Sequence, residues 1–331
     1  MNKNSPRRLA QVSTLAPAQP VGKVIAPDLV RDLDLNDDEL RGLLDLAAKV
    51  KRTPSKYGRA LAGKSIALLF EKPSLRTRLT FELAIKQLGG DSVSCEGPLG
   101  VREPIKDVAR NLERWVQAIV ARTFSQSTIE ELASWSSVPV INALSHLYHP
   151  CQALADVFTL GEQFGELRGL KIAFAGDGNN VAHSLMLTAA RLGIDFSIAT
   201  PEGYQPNAEI VAQAEGLAAI SGARVEVTSD PVQAVAGAHA VYTDVWTSMG
   251  QENEASERRE KFAAYQVNEK LMALARPDAV FMHCLPAKRG EEVTDQVMES
   301  GSSIVFNQAE NRLHAQKALL YTLMTDRAPR T

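Results

Sequence analysis

From Leu35 onward the chain alternates between two apolar patterns. Leu40, Leu43, Leu44 and Ala47 recur at the spacing that lines one helical face, and Asn36 with Glu39 forms a capping-box pattern in front of them. The short unbroken run Ile66 to Phe70 then has the length of a strand buried on both faces. After the loop Glu71-Lys72-Pro73-Ser74 the helical spacing returns in Phe81, Ala84, Ile85 and Leu88, and Gly89-Gly90 stops it. The alternation next predicts a weak strand at Val93–Cys95. Pro104 then starts a helix with Ile105, Val108, Ala109 and Leu112 on its core face. A strand at Ala118–Ala121, a helix capped by Ser127 and running to Trp135, and a strand at Val138–Ile141 follow. A further helix spans about Pro150 to Phe164.

The polar stretch Gly165 to Gly169 interrupts the series and marks a domain boundary. Beyond it, strands are predicted at Lys171–Ala175, Phe196–Ala199, Val225–Thr228, Ala240–Thr243, Val280–Met282 and Ile304–Phe306. A closing helix over residues 310–324 is expected to pack back on the first domain. Strands alternating with helices imply parallel sheets covered on both faces. The expected fold is α/β: two doubly wound domains, each a mostly parallel sheet flanked by helices, joined by interdomain helices. The expected divisions are a disordered leader at residues 1–34, a first domain at 35–164 and a second at 165–331.

A net charge of −3 provides no positive field for nucleic acid or an anionic membrane, but leaves room for small anions held by local arginines. No apolar run approaches the roughly 20 residues of a membrane span. The three cysteines, Cys95, Cys151 and Cys284, are too few and too scattered for a disulfide framework and suit a reducing compartment. The first 27 residues carry Lys3, Arg7, Arg8 and Lys23 with no acid. A plain leader on a cytoplasmic enzyme has that composition; so does a transit peptide, with the mitochondrial matrix as the alternative location.

In parallel sheets ligands bind at the carboxyl ends of strands, and five polar clusters fall there. Ser74-Leu75-Arg76-Thr77-Arg78 opens a helix directly after a strand, where free backbone N–H groups, hydroxyls and a guanidinium can cradle a phosphate. A capped helix whose arginines face water has the same look. His149-Pro150-Cys151-Gln152 opens another helix. With His146 it resembles a zinc set, but a further ligand at finger-like spacing is missing. A carbonyl-polarising His149 with Gln152, both donating to a developing oxyanion, fits better. Gly176-Asp177-Gly178-Asn179-Asn180-Val181 follows a strong strand, yet Val181 stands where a dinucleotide fingerprint has its third glycine. Its two asparagines suit hydrogen bonds to a polar small molecule, or simply a turn. Asp244-Val245-Trp246-Thr247-Ser248-Met249-Gly250 places a carboxylate before a loop, suited to a cationic amine. His283-Cys284-Leu285-Pro286 ends another strand, where a cysteine can be reactive or inert packing.

Taken in order, S-x-R-T-R, H-P-C-Q, D-V-W-x-S-M-G, H-C-L-P and A-E-N-R resemble the ornithine carbamoyltransferases over residues 61–320. The resemblance implies a first domain for carbamoyl phosphate and a second for ornithine, with no metal and no cofactor. Ser74, Arg76 and Thr77, with the backbone of Leu75, would hold phosphate; Arg122, His149 and Gln152 would hold the carbamoyl end, and Arg312 would add charge. Asn180, Asp244, Ser248 and Met249 would bind ornithine. Cys284, with Leu285 behind it, would sit at the reacting amine and against the carbamoyl group. Relatives often carry Thr where this chain has Leu75, and some carry Gln where it has Pro98, a donor reaching an adjoining subunit. The implied assembly is a homotrimer or a multiple of trimers, and the implied product is L-citrulline, in arginine biosynthesis. Putrescine and N-acetylornithine are the rival acceptors; a nucleotide-binding module and a phosphate sensor are the rival classes.

The chemistry sets its own requirement. An alkylamine has a pKa of about 10.4, yet only its neutral form attacks a carbonyl. Making it neutral near pH 7 means offsetting about 4 to 5 kcal/mol. Asp244 and Cys284 are the acceptors expected to share that cost. Arg122, His149 and Thr77 would stabilise the oxyanion at about 3 kcal/mol per well-aimed donor.

Overall fold

The computed structural model describes residues 28–248 and 251–325. Residues 1–27 of the expected leader and Met249 therefore lie outside the described residues. The chain forms two compact units, residues 28–151 with 312–325 and residues 152–311. The change from one to the other falls inside a helix, earlier than the polar stretch 165–169.

The first unit opens with helix α1 (Asp37–Arg52). Its capping box closes as the spacing predicts: the Glu39 N–H donates to Asn36 Oδ1 at 2.9 Å and the Asn36 N–H to Glu39 Oε2 at 2.7 Å. Leu40, Leu43, Ala47 and Val50 are its buried stripe. Strands β1 (Ser65–Phe70), β2 (Asp91–Glu96), β3 (Ala118–Arg122) and β4 (Val140–Leu144) form one parallel sheet in the order β2-β1-β3-β4. Helices α2 (Leu75–Gln87), α3 (Ile105–Trp115) and α4 (Gln126–Trp135) make the crossovers. The order reverses between β1 and β3, so the loops leaving those two strands open side by side. The β3–β4 register shifts between Ala121 and Arg122, a bulge beside a candidate site residue.

Helix α5 (Pro150–Phe164) leads into the second unit. There β5 (Lys171–Ala175), β6 (Asp195–Ala199), β7 (Val225–Thr228), β8 (Ala240–Thr243) and β9 (Val280–His283) run parallel in the order β7-β6-β5-β8-β9. The crossovers carry α6 (Asn180–Leu192), α7 (Ala208–Ser221), α8 (Pro231–Val235), α9 (Ala255–Phe262) and α10 (Glu269–Met272). Helix α6 is buried from Val181 to Leu192, its polar His183, Ser184, Thr188 and Arg191 included. After α11 (Asp295–Met298), α12 (Val305–Thr325) closes the chain, and from Arg312 on it belongs to the first unit.

Four expectations need correction. Residues 28–34 do not belong to a leader: Leu29 bridges Ile141, and its N–H donates to Val140 O at 2.9 Å. Two apolar residues, Leu29 and Val30, are too short a run to register as a period. Strand β4 starts at Val140 rather than Val138, after Pro139, which has no N–H to give a ladder. Ser125, not Ser127, caps α4, accepting from the Ser127 N–H. Finally, Ile304–Phe306 is no strand. Ser303 makes an isolated bridge with Phe281, and α12 begins at Val305.

Leu29 is 1% exposed. Leu29→Ala should therefore cost about 2 to 4 kcal/mol of unfolding free energy, read by urea titration. A loss below about 0.5 kcal/mol, ordinary for a surface position, would place the segment outside the fold.

Candidate active site

The loop after β1 enters α2 without an internal cap. Ser74 has extended backbone at the N-cap, but its hydroxyl accepts no cap hydrogen bond, and the first turn of α2 holds no acid. The helix start is thus an electropositive cradle whose N–H groups face outward. Glu71 keeps the cradle in shape, accepting from the Leu99 N–H at 2.8 Å and the Phe124 N–H at 2.7 Å. It ties together the loops after β1, β2 and β3. Leu75 is exposed, so its side chain contributes nothing inward, while Arg76 is half-buried. Thr77 is buried, and its hydroxyl accepts from Arg312 Nη2 at 2.6 Å. Lys72 lies 4.4 Å above the Phe124 ring. Burial first, and Arg122 second, lower its pKa from the ordinary lysine value.

Arg122, His149 and Arg312 are buried in the same unit. The His149 pKa falls well below 6.5 because burial disfavours its charge, helped by Arg312 and then Arg122. His149 is therefore a neutral imidazole at physiological pH, able to donate a hydrogen bond but carrying no proton to give away. The zinc-like set dissolves on inspection of its partners. His146 Nδ1 accepts from the Gln126 N–H at 3.1 Å. The Cys151 thiol donates to Asn142 O at 3.4 Å, and burial pushes its pKa up to about 12, so it stays protonated.

Gln152 is fixed by a carboxylate on its own helix. One N–H of its Nε2 donates to Asp156 Oδ1 at 2.7 Å, and its Oε1 is a buried acceptor. The second N–H of Nε2 remains for the donor role that the sequence suggests.

In the second unit Asp244, at the end of β8, is held by three donors. Asn179 Nδ2 reaches Oδ2 at 2.9 Å; the Val245 N–H at 2.8 Å and the Cys284 thiol at 3.0 Å reach Oδ1. Cys284 follows β9, the strand beside β8, which is why residues 40 positions apart meet. His283 lies within ligand range of the pair, but its Nδ1 accepts from the Leu285 N–H at 2.8 Å and its Nε2 faces Glu292 Oε1 at 3.2 Å. Both ring nitrogens are engaged, which leaves none for a metal. Leu285 has φ 60°, a left-handed conformation that a branched residue adopts only under constraint.

Asn180, expected to bind ligand, is the first residue of α6. Its neighbour Asn179 does more: its Oδ1 caps the Val181 and Ala182 N–H groups while its amide orients Asp244. An asparagine before a buried helix is the usual N-cap signal, which could have found it. Asp177 pairs with Arg258 at 2.8 Å, and Arg258 also holds Trp246 O at 2.9 Å and lies over the Tyr204 ring. Burial raises the Asp177 pKa against the pull of Arg258. Nothing local in the sequence points to Arg258. The Ser248 N–H donates to Gln251 Oε1 at 3.1 Å.

Two family models match the chain: the aspartate/ornithine carbamoyltransferase carbamoyl-P binding domain over residues 28–162, and the Asp/Orn binding domain of the same family over 168–323. An ornithine carbamoyltransferase of Thermococcus kodakarensis is 52% identical over 296 residues, covering 88% of this chain and 94% of that protein. An ornithine carbamoyltransferase of Pyrococcus furiosus described as anabolic is 50% identical, covering 90% and 96%. A solved ornithine carbamoyltransferase structure from Pyrococcus furiosus superposes with a TM-score of 0.89 at 48% identity, covering 92% of this chain and 99% of that one.

The neutral state of His149 has a consequence for stability. The unfolded chain takes up a proton at this residue as pH falls through about 6.5, whereas the folded chain does not. The folded state is therefore penalised on acidification. Between pH 7 and pH 5.5 the parent should lose about 1 kcal/mol more stability than His149→Gln. Equal losses in the two proteins would mean that His149 titrates normally in the fold.

Proposed function

Because the chain belongs to the aspartate/ornithine carbamoyltransferase family, we infer that it transfers the carbamoyl group of carbamoyl phosphate to the δ-amine of L-ornithine, giving L-citrulline and phosphate, a step of arginine biosynthesis. The observation that carries this reading is the buried Asp244–Cys284 pair, 3.0 Å apart, at the ends of adjacent strands. A carboxylate so placed attracts an ammonium, and the low dielectric around it strengthens that attraction. Losing its proton then turns the bound amine into a nucleophile. The Cys284 sulfur takes that proton as its own passes to Asp244 Oδ1, with Asn179 holding the carboxylate in aim.

Phosphate is held at the start of α2 by the Leu75 backbone, Ser74, Arg76 and Thr77 in this reading. Attack on the carbonyl carbon makes a tetrahedral oxyanion. Neutral His149, Arg122 and Thr77 supply donors to it, and Arg312, bonded to Thr77 at 2.6 Å, supplies positive charge. Collapse expels phosphate onto the same cradle, and the departing phosphate carries off the second proton of the attacking nitrogen. Gln152 adds an acceptor: its Oε1 receives an N–H of the carbamoyl group. Ser248 and Met249, with Asn180, are assigned to the amino-acid end of ornithine. The reaction class needs no cofactor, since carbamoyl phosphate arrives already activated. A cytoplasmic location and assembly into trimers complete the proposal, on the strength of the family resemblance.

Purified protein given carbamoyl phosphate and L-ornithine should release citrulline, detected colorimetrically. Turnover with putrescine or N-acetylornithine in preference to ornithine would reassign the acceptor. Cys284→Ser should damage turnover more than carbamoyl phosphate binding. Its kcat should also keep rising to higher pH than the parent's, because a hydroxyl relays a proton to the carboxylate less readily than a thiol. Superimposable pH profiles would take Cys284 out of the proton transfer.

A further inference from the structure

The amide of Gln152 has one way to face, and a backbone N–H decides it. The His283 N–H can only donate, and it lies 2.9 Å from Gln308 Oε1. Gln308 therefore turns its Nε2 toward Asp156 Oδ1, at 2.7 Å, and toward the Tyr242 oxygen, at 3.0 Å. The Tyr242 hydroxyl in turn donates to Asp156 Oδ2 at 3.0 Å. That donor is permanent, because burial, and next the neighbouring Asp156, raise the Tyr242 pKa well above 10. Asp156 is thus an acceptor at both oxygens, and Gln152, 2.7 Å from Oδ1, has to present Nε2 there. Gln152 Oε1 then points away from the network, buried and without a donor among the described residues. A buried acceptor left without a donor is unfavourable, and a ligand that brings an N–H satisfies it.

We propose that Asp156 is a specificity-determining positioning residue: by fixing the Gln152 amide it makes the site select an acyl phosphate bearing an NH2 group over an isostere bearing a methyl group. This rests on the carbamoyl phosphate reading above and adds to it a residue that touches no substrate. The network explains why four polar side chains, Gln152, Asp156, Tyr242 and Gln308, occupy the core of the second unit, each 1% exposed or less. Every bond in it is needed to fix the next. A site that hydrogen-bonds an N–H rejects an analogue lacking it far more strongly than shape alone can, because the analogue leaves the acceptor stranded.

Acetyl phosphate, with a methyl where carbamoyl phosphate has NH2, is the probe. The readout is the ratio of its competitive Ki to the KM of carbamoyl phosphate, together with the thermal midpoint. Asp156→Leu, which offers Gln152 no acceptor, should lower that ratio about tenfold or more. Asp156→Asn, which keeps an oxygen for Gln152 and Gln308, should hold it within about threefold of the parent. Should Asp156→Leu fail to fold, Asp156→Ala carries the same readout with no added bulk. A packing role would move Ki and KM together; an unchanged ratio in the Leu or Ala variant therefore overturns the proposal. So does an Asn variant that loses as much as the Leu variant, or a parent that binds acetyl phosphate as well as carbamoyl phosphate. A parent that makes no citrulline sinks the functional reading itself, whereas an active parent with an invariant ratio sinks only this inference.

Discussion

Parallel strand pairing is the constraint from which the site follows. A parallel neighbour can be reached only by a crossover, so every strand of a sheet ends on the same edge and every loop into the next helix opens there. In the first unit this sets the loops after β1 and β3 side by side, and in the second it does the same for β5, β8 and β9. The strands spend their side chains on burial: Ile66 to Phe70 and Ala118 to Ala121 are all 3% exposed or less. Polar residues are affordable only where the strand stops. Arg122, Asp244 and Cys284 all stand at that point, and so do the segments opening α2 and α6.

The second requirement is that polar groups carried into such an edge be satisfied. Asp244 is buried at 7% exposure but receives Asn179, Val245 and Cys284. Asp156, fully buried, receives Gln152, Gln308 and Tyr242. Donors arranged around a carboxylate hold its position as well as lowering its energy. The cationic side is treated differently. Arg122 and Arg312 lie near His149, and their combined field with burial keeps that ring neutral. Two arginines and a neutral donor can face an anion without the repulsion that a third cation would add.

Much of this was legible in the residues. Period decided the helices where an amphipathic face exists, as in α1, and short apolar or β-branched stretches decided β5, β7 and β8 to the residue. The cluster S-x-R-T-R pointed to a phosphate cradle because strand, loop and helix start are all local. What escaped depends on distant partners. Leu29 belongs to the fold only because the edge of β4 is there to receive it. Ile304–Phe306 is as apolar as a strand, yet α12 already begins at Val305, so the run resolves as a helix start. The direction of the Gln152 amide could not be read, since it depends on a backbone N–H 131 positions away at His283, through Gln308 and Asp156. A side chain's chemistry is written in the sequence, whereas the end it presents is set by the fold.

The second sheet tests how far architecture alone can argue. Its strand order, with a glycine-bearing turn after the first strand of the sheet, is one that elsewhere receives dinucleotides. Here the glycines serve another purpose. Gly176 adopts φ 147°, and a Cβ on Gly178 would lie 2.2 Å from the Pro206 backbone nitrogen. Gly178 is therefore glycine so that the segment Gln205-Pro206 can close over the turn, and its N–H is already spent on Tyr204 O at 2.9 Å. A pyrophosphate would need that N–H and that space. Val181 donates its own N–H to Asn179 instead, and Asn179 passes the benefit to Asp244. The turn that binds phosphate in other chains has become, in this one, the support of a carboxylate. Function is set here by which hydrogen bonds the turn has left to offer, and they suit an amine rather than a nucleotide.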